Sequence, residues 1–202
     1  MILYLHGFRS SPHSFKTGLL AQRMQVLGRG DEYACPQLPA SPRDAIALAS
    51  ELAGNIDPAN LAIIGSSLGG YYATWIAEQL GCRAVLLNPA VNAARDLAGQ
   101  VGVKTQYHSN DAFEFKREYL DELAAIHVER ITRPERYFLI AATGDELLDW
   151  REMVALFSGA RQRVIQGSDH GLSDFAEYAD EVLGFCGVQV PNATSEMASV
   201  RC

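Results

Sequence analysis

Leu61-Ala62-Ile63-Ile64-Gly65-Ser66-Ser67-Leu68-Gly69-Gly70-Tyr71-Tyr72-Ala73-Thr74-Trp75 passes from a short apolar run, through glycine and serine, straight into a helical pattern. The run before Gly65 reads as a buried strand and the stretch from Leu68 as a helix. Between them, Gly65-Ser66-Ser67-Leu68-Gly69 fits the Gly-x-Ser-x-Gly frame of a nucleophile elbow, with Ser67 at its centre and Ser66 in the variable slot. A serine on so sharp a turn holds strained backbone angles, and side chains two positions to either side would collide with the neighbouring strand and helix. Glycine at both places lets the hydroxyl stand clear of the sheet. The turn also aims the first N–H groups of the helix, that of Leu68 included, at the space above Ser67, where the helix N-terminus adds about half a positive charge. A phosphate-cradling loop would need Gly-Lys-Ser/Thr or Gly-x-Gly-x-x-Gly here, and neither is present.

Outward from the elbow, strands and helices alternate. Upstream, residues 2–5 read as a strand broken by His6-Gly7-Phe8, and residues 15–27 as a helix with Ser14 available as its cap. A short strand at 33–35 stops at Pro36, and residues 43–52 return to helical spacing before Gly54. Downstream, strands are expected at 83–87, 137–142 and 162–165, and helices at 149–157 and 172–185. Near-continuous apolar strands alternating with amphipathic helices predict an α/β fold, a doubly wound sheet of about six mainly parallel strands covered on both faces.

Two stretches depart from that alternation. Residues 90–134 are too many for a simple crossover, and within them 112–128 is charged and helical in pattern, with Phe113, Leu120, Leu123 and Ile126 on one side. The expectation is a helical cap inserted over the strand ends, with an enlarged crossover helix as the alternative. Residues 1–186 are expected to form one α/β domain, and residues 187–202, small and polar without periodicity, a loosely ordered tail.

Composition sets the outer bounds. The 202 residues are 48% hydrophobic and 20% charged, ordinary for a globular chain with one sizeable core. A formal net charge of -7 argues against nucleic acid or an anionic membrane as partner, since both select for basic patches. No apolar run is long enough to span a bilayer and no basic leader opens the chain, so the expected compartment is the cytoplasm. Cys35, Cys82, Cys186 and Cys202 are scattered, with no Cys-x-x-Cys and no zinc-like Cys/His spacing. They read as isolated thiols. Asn192-Ala193-Thr194 matches a glycosylation sequon that has no meaning without export. Neither a metal nor a cofactor is expected, and the oligomeric state is not legible.

Functional groups in a parallel sheet gather at the carboxyl ends of the strands. A serine hydroxyl is a weak nucleophile and needs a base within hydrogen-bond reach, which in turn needs an acid to set its tautomer. Of the five histidines, His170 follows the last expected strand in Gly167-Ser168-Asp169-His170-Gly171 and can reach back to Ser67. His108 and His127 fall in the insertion, His13 in an early loop, and His6 too near the first strand to serve as base. For the acid, Asp145 lies just past the strand at 137–142, with Glu146, Asp149 and Asp169 as rivals. The order Ser67, Asp145, His170 is that of α/β-hydrolases. An oxyanion would be met by the backbone N–H of Leu68 and by one from the loop after the first strand, where Phe8 is best placed to offer its amide and to turn its ring towards an acyl pocket.

Leu3-Tyr4-Leu5-His6-Gly7-Phe8 with Ser10-Ser11-Pro12, Pro36-Gln37-Leu38-Pro39, the elbow stretch through Trp75, Asn88-Pro89-Ala90 and Thr143-Gly144-Asp145-Glu146 together resemble the small bacterial YqiA-like esterases of the α/β-hydrolase superfamily. The resemblance covers most of residues 2–185. It implies a cofactor-free hydrolase of carboxylic esters or thioesters with modest acyl groups, and a small-molecule acyl substrate as partner. It also implies a sheet that lacks the N-terminal strands of larger relatives. Arg9 departs from the small polar residue expected there. An acyltransferase using the same residues, or a non-catalytic binding protein of the same fold, are the alternatives.

Overall fold

Isoleucine, leucine, valine and phenylalanine fill strands that are buried along almost their whole length, a pattern stable only where both faces of a sheet are covered. The structure, a computed structural model, describes residues 1–105 and 112–191. Its elements begin with β1 (Ile2–Leu5), α1 (Phe15–Val26), β2 (Tyr33–Ala34), α2 (Pro42–Ala53), β3 (Ala62–Ser66), α3 (Leu68–Leu80) and β4 (Arg83–Leu87). An excursion follows: α4 (Ala93–Asp96), β5 (Gly102–Thr105), β6 (Ala112–Phe115) and α5 (Glu118–Ala125). Then β7 (Tyr137–Ala142), α6 (Trp150–Leu156), β8 (Arg161–Ile165) and α7 (Ala179–Phe185) complete the fold.

Six strands form one parallel sheet in the order β2-β1-β3-β4-β7-β8. Strand alternation divides the core into two layers. Leu3, Leu5, Ile63, Leu86 and Leu139 pack with residues of α2, α3 and α6, whereas Ile2, Tyr4, Ile64, Leu87 and Ile140 pack with residues of α1 and α7. The winding direction reverses at β1, which lies between β2 and β3, so a crevice opens above the carboxyl ends of β1 and β3. His6 leaves one of those strands and Ser67 the other.

The expected doubly wound parallel sheet is observed, and three local expectations are corrected. Residues 112–128 do not form one helix: Ala112–Phe115 is a strand paired antiparallel with β5, and helix is confined to Glu118–Ala125. The alternating exposure of Ala112–Phe115, with Phe113 and Phe115 on its inner side, is a strand period, and only Phe113 also stands in helical step with Leu120. The helix expected at 43–52 begins one residue earlier, at Pro42, where Ser41 caps the Asp44 amide at 3.2 Å. The closing helix starts at Ala179 rather than near Leu172, because the loop runs on through Leu172 at φ 52° and a short turn at Phe175–Glu177.

The excursion is tied to the body at its helical end. Glu122 of α5 accepts from the Ser41 hydroxyl at 2.8 Å, and Tyr71 of α3 donates to the Leu123 carbonyl at 2.9 Å. Beyond α7, Val188 is buried and its amide bonds to the Leu183 carbonyl at 3.0 Å, so the start of the expected tail is docked. The sequon, Cys202 and His108 lie outside the described residues. Cys35, Cys82 and Cys186 carry free thiols, and burial pushes that of Cys82 up to about 11. No helix among the described residues is long and apolar enough to cross a membrane.

Candidate active site

Ser67 sits between β3 and α3 at φ 55° and ψ -121°, a strained conformation for a residue with a side chain, costing about 1–3 kcal/mol. Its backbone is clamped. The Ser67 amide donates to Leu87 of β4 at 3.0 Å, and its carbonyl accepts from Gly70 at 2.9 Å and Ala90 at 3.0 Å. The glycines explain how the turn can be so tight. A Cβ on Gly65 would stand 2.3 Å from the Gly69 carbonyl oxygen, and one on Gly69 only 1.9 Å from that of Leu5. Both are impossible contacts, so α3 presses directly on β1 and β3 and thrusts Ser67 into the crevice.

His170 Nε2 lies 3.0 Å from Ser67 Oγ, and His170 Nδ1 lies 2.8 Å from Asp145 Oδ2. A carboxylate facing Nδ1 makes that nitrogen the donor, which leaves the Nε2 lone pair turned to the serine hydroxyl. The Asp145 side chain is fully buried. Its second oxygen accepts from the Leu147 and Leu148 amides, each at 2.9 Å, so the acid cannot swing away from the histidine. Gly144 permits this approach, since a Cβ there would meet the Ser168 carbonyl oxygen at 2.3 Å.

The rival acids have other partners. Asp149 caps α6 through the Arg151 amide at 2.9 Å. The Asp169 carboxylate accepts from the Ser173 amide at 3.0 Å, and that backbone hydrogen bond is the main cause holding its carboxyl below the usual range. Glu146 accepts from the His170 backbone amide at 3.0 Å and so holds the loop rather than the ring.

Asn88 is a positioning residue that sequence reading passed over as a strand end. Wholly buried just past β4, it donates through Nδ2 to the carbonyls of Asp169 at 3.0 Å and His170 at 3.1 Å. Its Oδ1 accepts from the Ala142 amide at 2.8 Å, so one side chain joins β4, β7 and the histidine loop. An asparagine before proline after a buried strand was the visible signal, and what it bonds is settled only by the fold.

The loop after β1 runs beside Ser67. A Cβ on Gly7 would lie 3.1 Å from Ser67 Cβ, and Phe8 follows. The Leu68 amide heads α3, among the helix N–H groups that have no intrahelical acceptor. The Phe8 ring, expected to face an acyl pocket, borders the cavity but also packs edge-on against Phe113 at 5.7 Å and Phe115 at 5.1 Å, anchoring the β5–β6 hairpin. Arg9, at φ 61°, donates to the Thr105 carbonyl at 2.6 Å, which gives this unexpected residue a role as a second clasp on that hairpin.

His6 is buried, and the Leu38 amide donates to its Nε2 at 3.0 Å while its Nδ1 faces the Gly7 carbonyl at 3.0 Å. An amide only donates and a carbonyl only accepts, so Nδ1 carries the proton and the ring is neutral. His6 thereby ties the Gly7 loop to the Gln37-Leu38 loop. His13 is exposed, and His127 lies against Tyr71, with ring centroids 6.3 Å apart. Among the described residues, no group of three or more histidine, cysteine, aspartate or glutamate side chains could hold a metal ion.

A cavity of about 490 Å3 opens in front of Ser67 and His170, walled by Phe8, Phe15, Lys16, Leu97, Leu147 and Leu148 among others. A strained serine between a parallel strand and a helix, at the switch point of a doubly wound sheet, defines an α/β-hydrolase fold. The family model described as an uncharacterised protein family, UPF0227, matches residues 1–187, and the chain belongs to that family. A UPF0227 protein of Shewanella sediminis is 29% identical over 111 residues, 53% of this chain and 60% of that relative, so the match spans less than two thirds of the relative's length. Among solved structures, mouse alpha/beta hydrolase domain-containing protein 10 superposes with a TM-score of 0.68 at 12% identity, over 91% of this chain and 89% of that one. One of the metagenome-derived lipolytic enzymes LipS and LipT also gives 0.68, at 18% identity over 92% of each chain.

Proposed function

We propose that the chain is a serine hydrolase of carboxylic esters or thioesters with modest acyl groups, acting through an acyl-enzyme on Ser67. The observation that carries this reading is the hydrogen-bonded line from Ser67 Oγ to His170 Nε2 at 3.0 Å and from His170 Nδ1 to Asp145 Oδ2 at 2.8 Å, set on a strained elbow. In the proposed reaction His170 takes the Ser67 proton as Oγ bonds to the acyl carbon. The carbonyl oxygen becomes an oxyanion held by the Phe8 and Leu68 amides, each such donor being worth about 3–4 kcal/mol in the transition state. His170 then returns the proton to the leaving alcohol or thiol as its bond to carbon breaks. In the second half, His170 takes a proton from water, the hydroxyl adds to the acyl carbon, and the proton goes to Ser67 as the acid departs.

Asp145 orients the ring and stabilises its charged form. The lipolytic neighbour supports the assignment at the level of chemistry. The test is turnover of short-chain acyl esters and thioesters by purified protein. Wild type is expected to hydrolyse them and to be labelled at Ser67 by a fluorophosphonate, while folded Ser67→Ala protein loses about 10⁴-fold or more in kcat and is not labelled. Equal turnover by Ser67→Ala overturns the proposal, and absence of labelling favours a non-catalytic fold. Diversion of the acyl group to added alcohols or amines would reveal an acyltransferase.

A further inference from the structure

Lys16 has no part in the proposed bond-making steps, yet it stands in the wall of the same cavity. It is the second residue of α1, half-buried, and its ammonium donates to the carbonyl of Gly171, the residue after His170. One of its three N–H donors is thereby used. Among the described residues it has no ion-pair partner, and burial lowers its pKa from 10.5 to about 8 against the opposing pull of Asp169 and Asp145.

Most of the surrounding charges are otherwise engaged. Asp145 is bound by His170 and two amides, and Asp169 by Ser173. Elsewhere in the cavity wall, Arg9 is clasped to Thr105, and Asp96 is paired with Arg95 at 2.8 Å through Oδ1 while its Oδ2 is buried without a hydrogen-bond partner among the described residues. Lys16 is thus a desolvated cation with spare donors and, among the described residues, no carboxylate in ion-pair contact, beside the histidine of the site. Such a group is poorly matched to an empty or purely apolar cavity and well matched to an anion.

Position decides which part of the substrate supplies that anion. The leaving oxygen must lie near His170 Nε2 to receive its proton, whereas the carbonyl oxygen turns the other way, to the Phe8 and Leu68 amides. Because Lys16 is fastened to Gly171, its ammonium lies on the histidine side, where the leaving group sits. A single ammonium in a chain of net charge -7 suits a monoanion.

We propose that Lys16 anchors a carboxylate carried by the leaving group, which makes esters of small hydroxy acids the preferred substrates. This inference rests on the serine-hydrolase reading above. The probes are acetyl esters of glycolate and 3-hydroxypropanoate, each compared with its uncharged primary amide of nearly the same shape. For at least one pair, wild-type protein at pH 7 is expected to prefer the carboxylate by about tenfold or more in kcat/KM, expressed mainly in KM. That preference declines as pH rises through about 8, where free Lys16 loses its charge. Lys16→Met, which keeps the stem and removes the charge, is expected to bring the ratio near one, and Lys16→Arg to retain part of it.

A wild-type ratio near one in both pairs, with turnover that still depends on Ser67, overturns the anchor alone. So does a ratio that survives in Lys16→Met, the result expected if the lysine only ties α1 to the histidine loop. Failure to hydrolyse any acyl ester, or full activity in Ser67→Ala, overturns the hydrolase reading and the anchor with it.

Discussion

The elbow and the histidine loop face each other across 3.0 Å, but they are held in place by opposite means. The elbow is positioned by main chain and by missing side chains: Gly65 and Gly69 let α3 touch β1 and β3, and the strain at Ser67 is enforced by that contact. The loop around His170 has little regular structure. Side chains from distant parts of the chain hold it: Asn88 after β4, Glu146 after β7, Lys16 of α1 and Asp145 on the imidazole. A local constraint is written in adjacent letters, whereas a constraint assembled from four remote side chains has no local signature.

The difference predicts how each region breaks. Gly69→Ala places a methyl 1.9 Å from the Leu5 carbonyl oxygen, so the elbow fails as a packing unit. Denaturant titration should show a loss of about 3 kcal/mol or more, or no stable fold. Asp145→Asn, by contrast, should leave the fold standing and lower kcat by about 10⁴-fold, because the amide favours the wrong imidazole tautomer. Steady-state kinetics on a short-chain ester, with circular dichroism for the fold, separate the two.

Intermediate effects belong to the positioning side chains. Asn88→Ala leaves the Ala142 amide and two loop carbonyls without their partners, and should cost about 2–4 kcal/mol of stability together with at least tenfold in kcat. Glu146→Ala removes one hydrogen bond to the His170 amide and should cost about 1 kcal/mol of stability and a several-fold loss in kcat, with Glu146→Gln close to wild type. If either equals Asp145→Asn in kcat, the distinction between holding the loop and orienting the ring is lost.

The last expected effect is a pH dependence of stability. Lys16 has a folded pKa below its ordinary value, so between about 8 and 10.5 the unfolded chain binds more protons than the folded one. The contribution of this residue to stability therefore rises with pH across that window. Unfolding free energies measured from pH 7 to 10.5 should show wild type gaining relative to Lys16→Met, and parallel curves would refute the desolvated environment.

Most of the sheet was legible because its central strands β1, β3, β4 and β7 are buried almost throughout and helical spacing separates them. Where two periods coincide, as at Phe113, in helical step with Leu120 and in strand step with Phe115, the pattern reads as helix and the chain forms a hairpin. The rings of those residues meet Phe8, a contact between positions more than a hundred residues apart that outweighs local preference. Among the acids, Asp145 could be favoured by its place after a strand, but Glu146 and Asp149 were separable from it only once the Leu147 and Leu148 amides and the Asp149 cap were seen.

The amino-acid sequence by itself determined the elbow, the parallel α/β sheet and the presence of serine, histidine and carboxylate at three strand ends. Those features depend on glycine geometry, hydrophobic period and chain direction, all encoded within a few neighbouring residues. Tertiary structure decided which groups support the histidine, why Arg9 is present and where the charge of Lys16 points. Each of these depends on close approach between segments far apart in the chain, and hydrogen bonds act only over that last few ångströms.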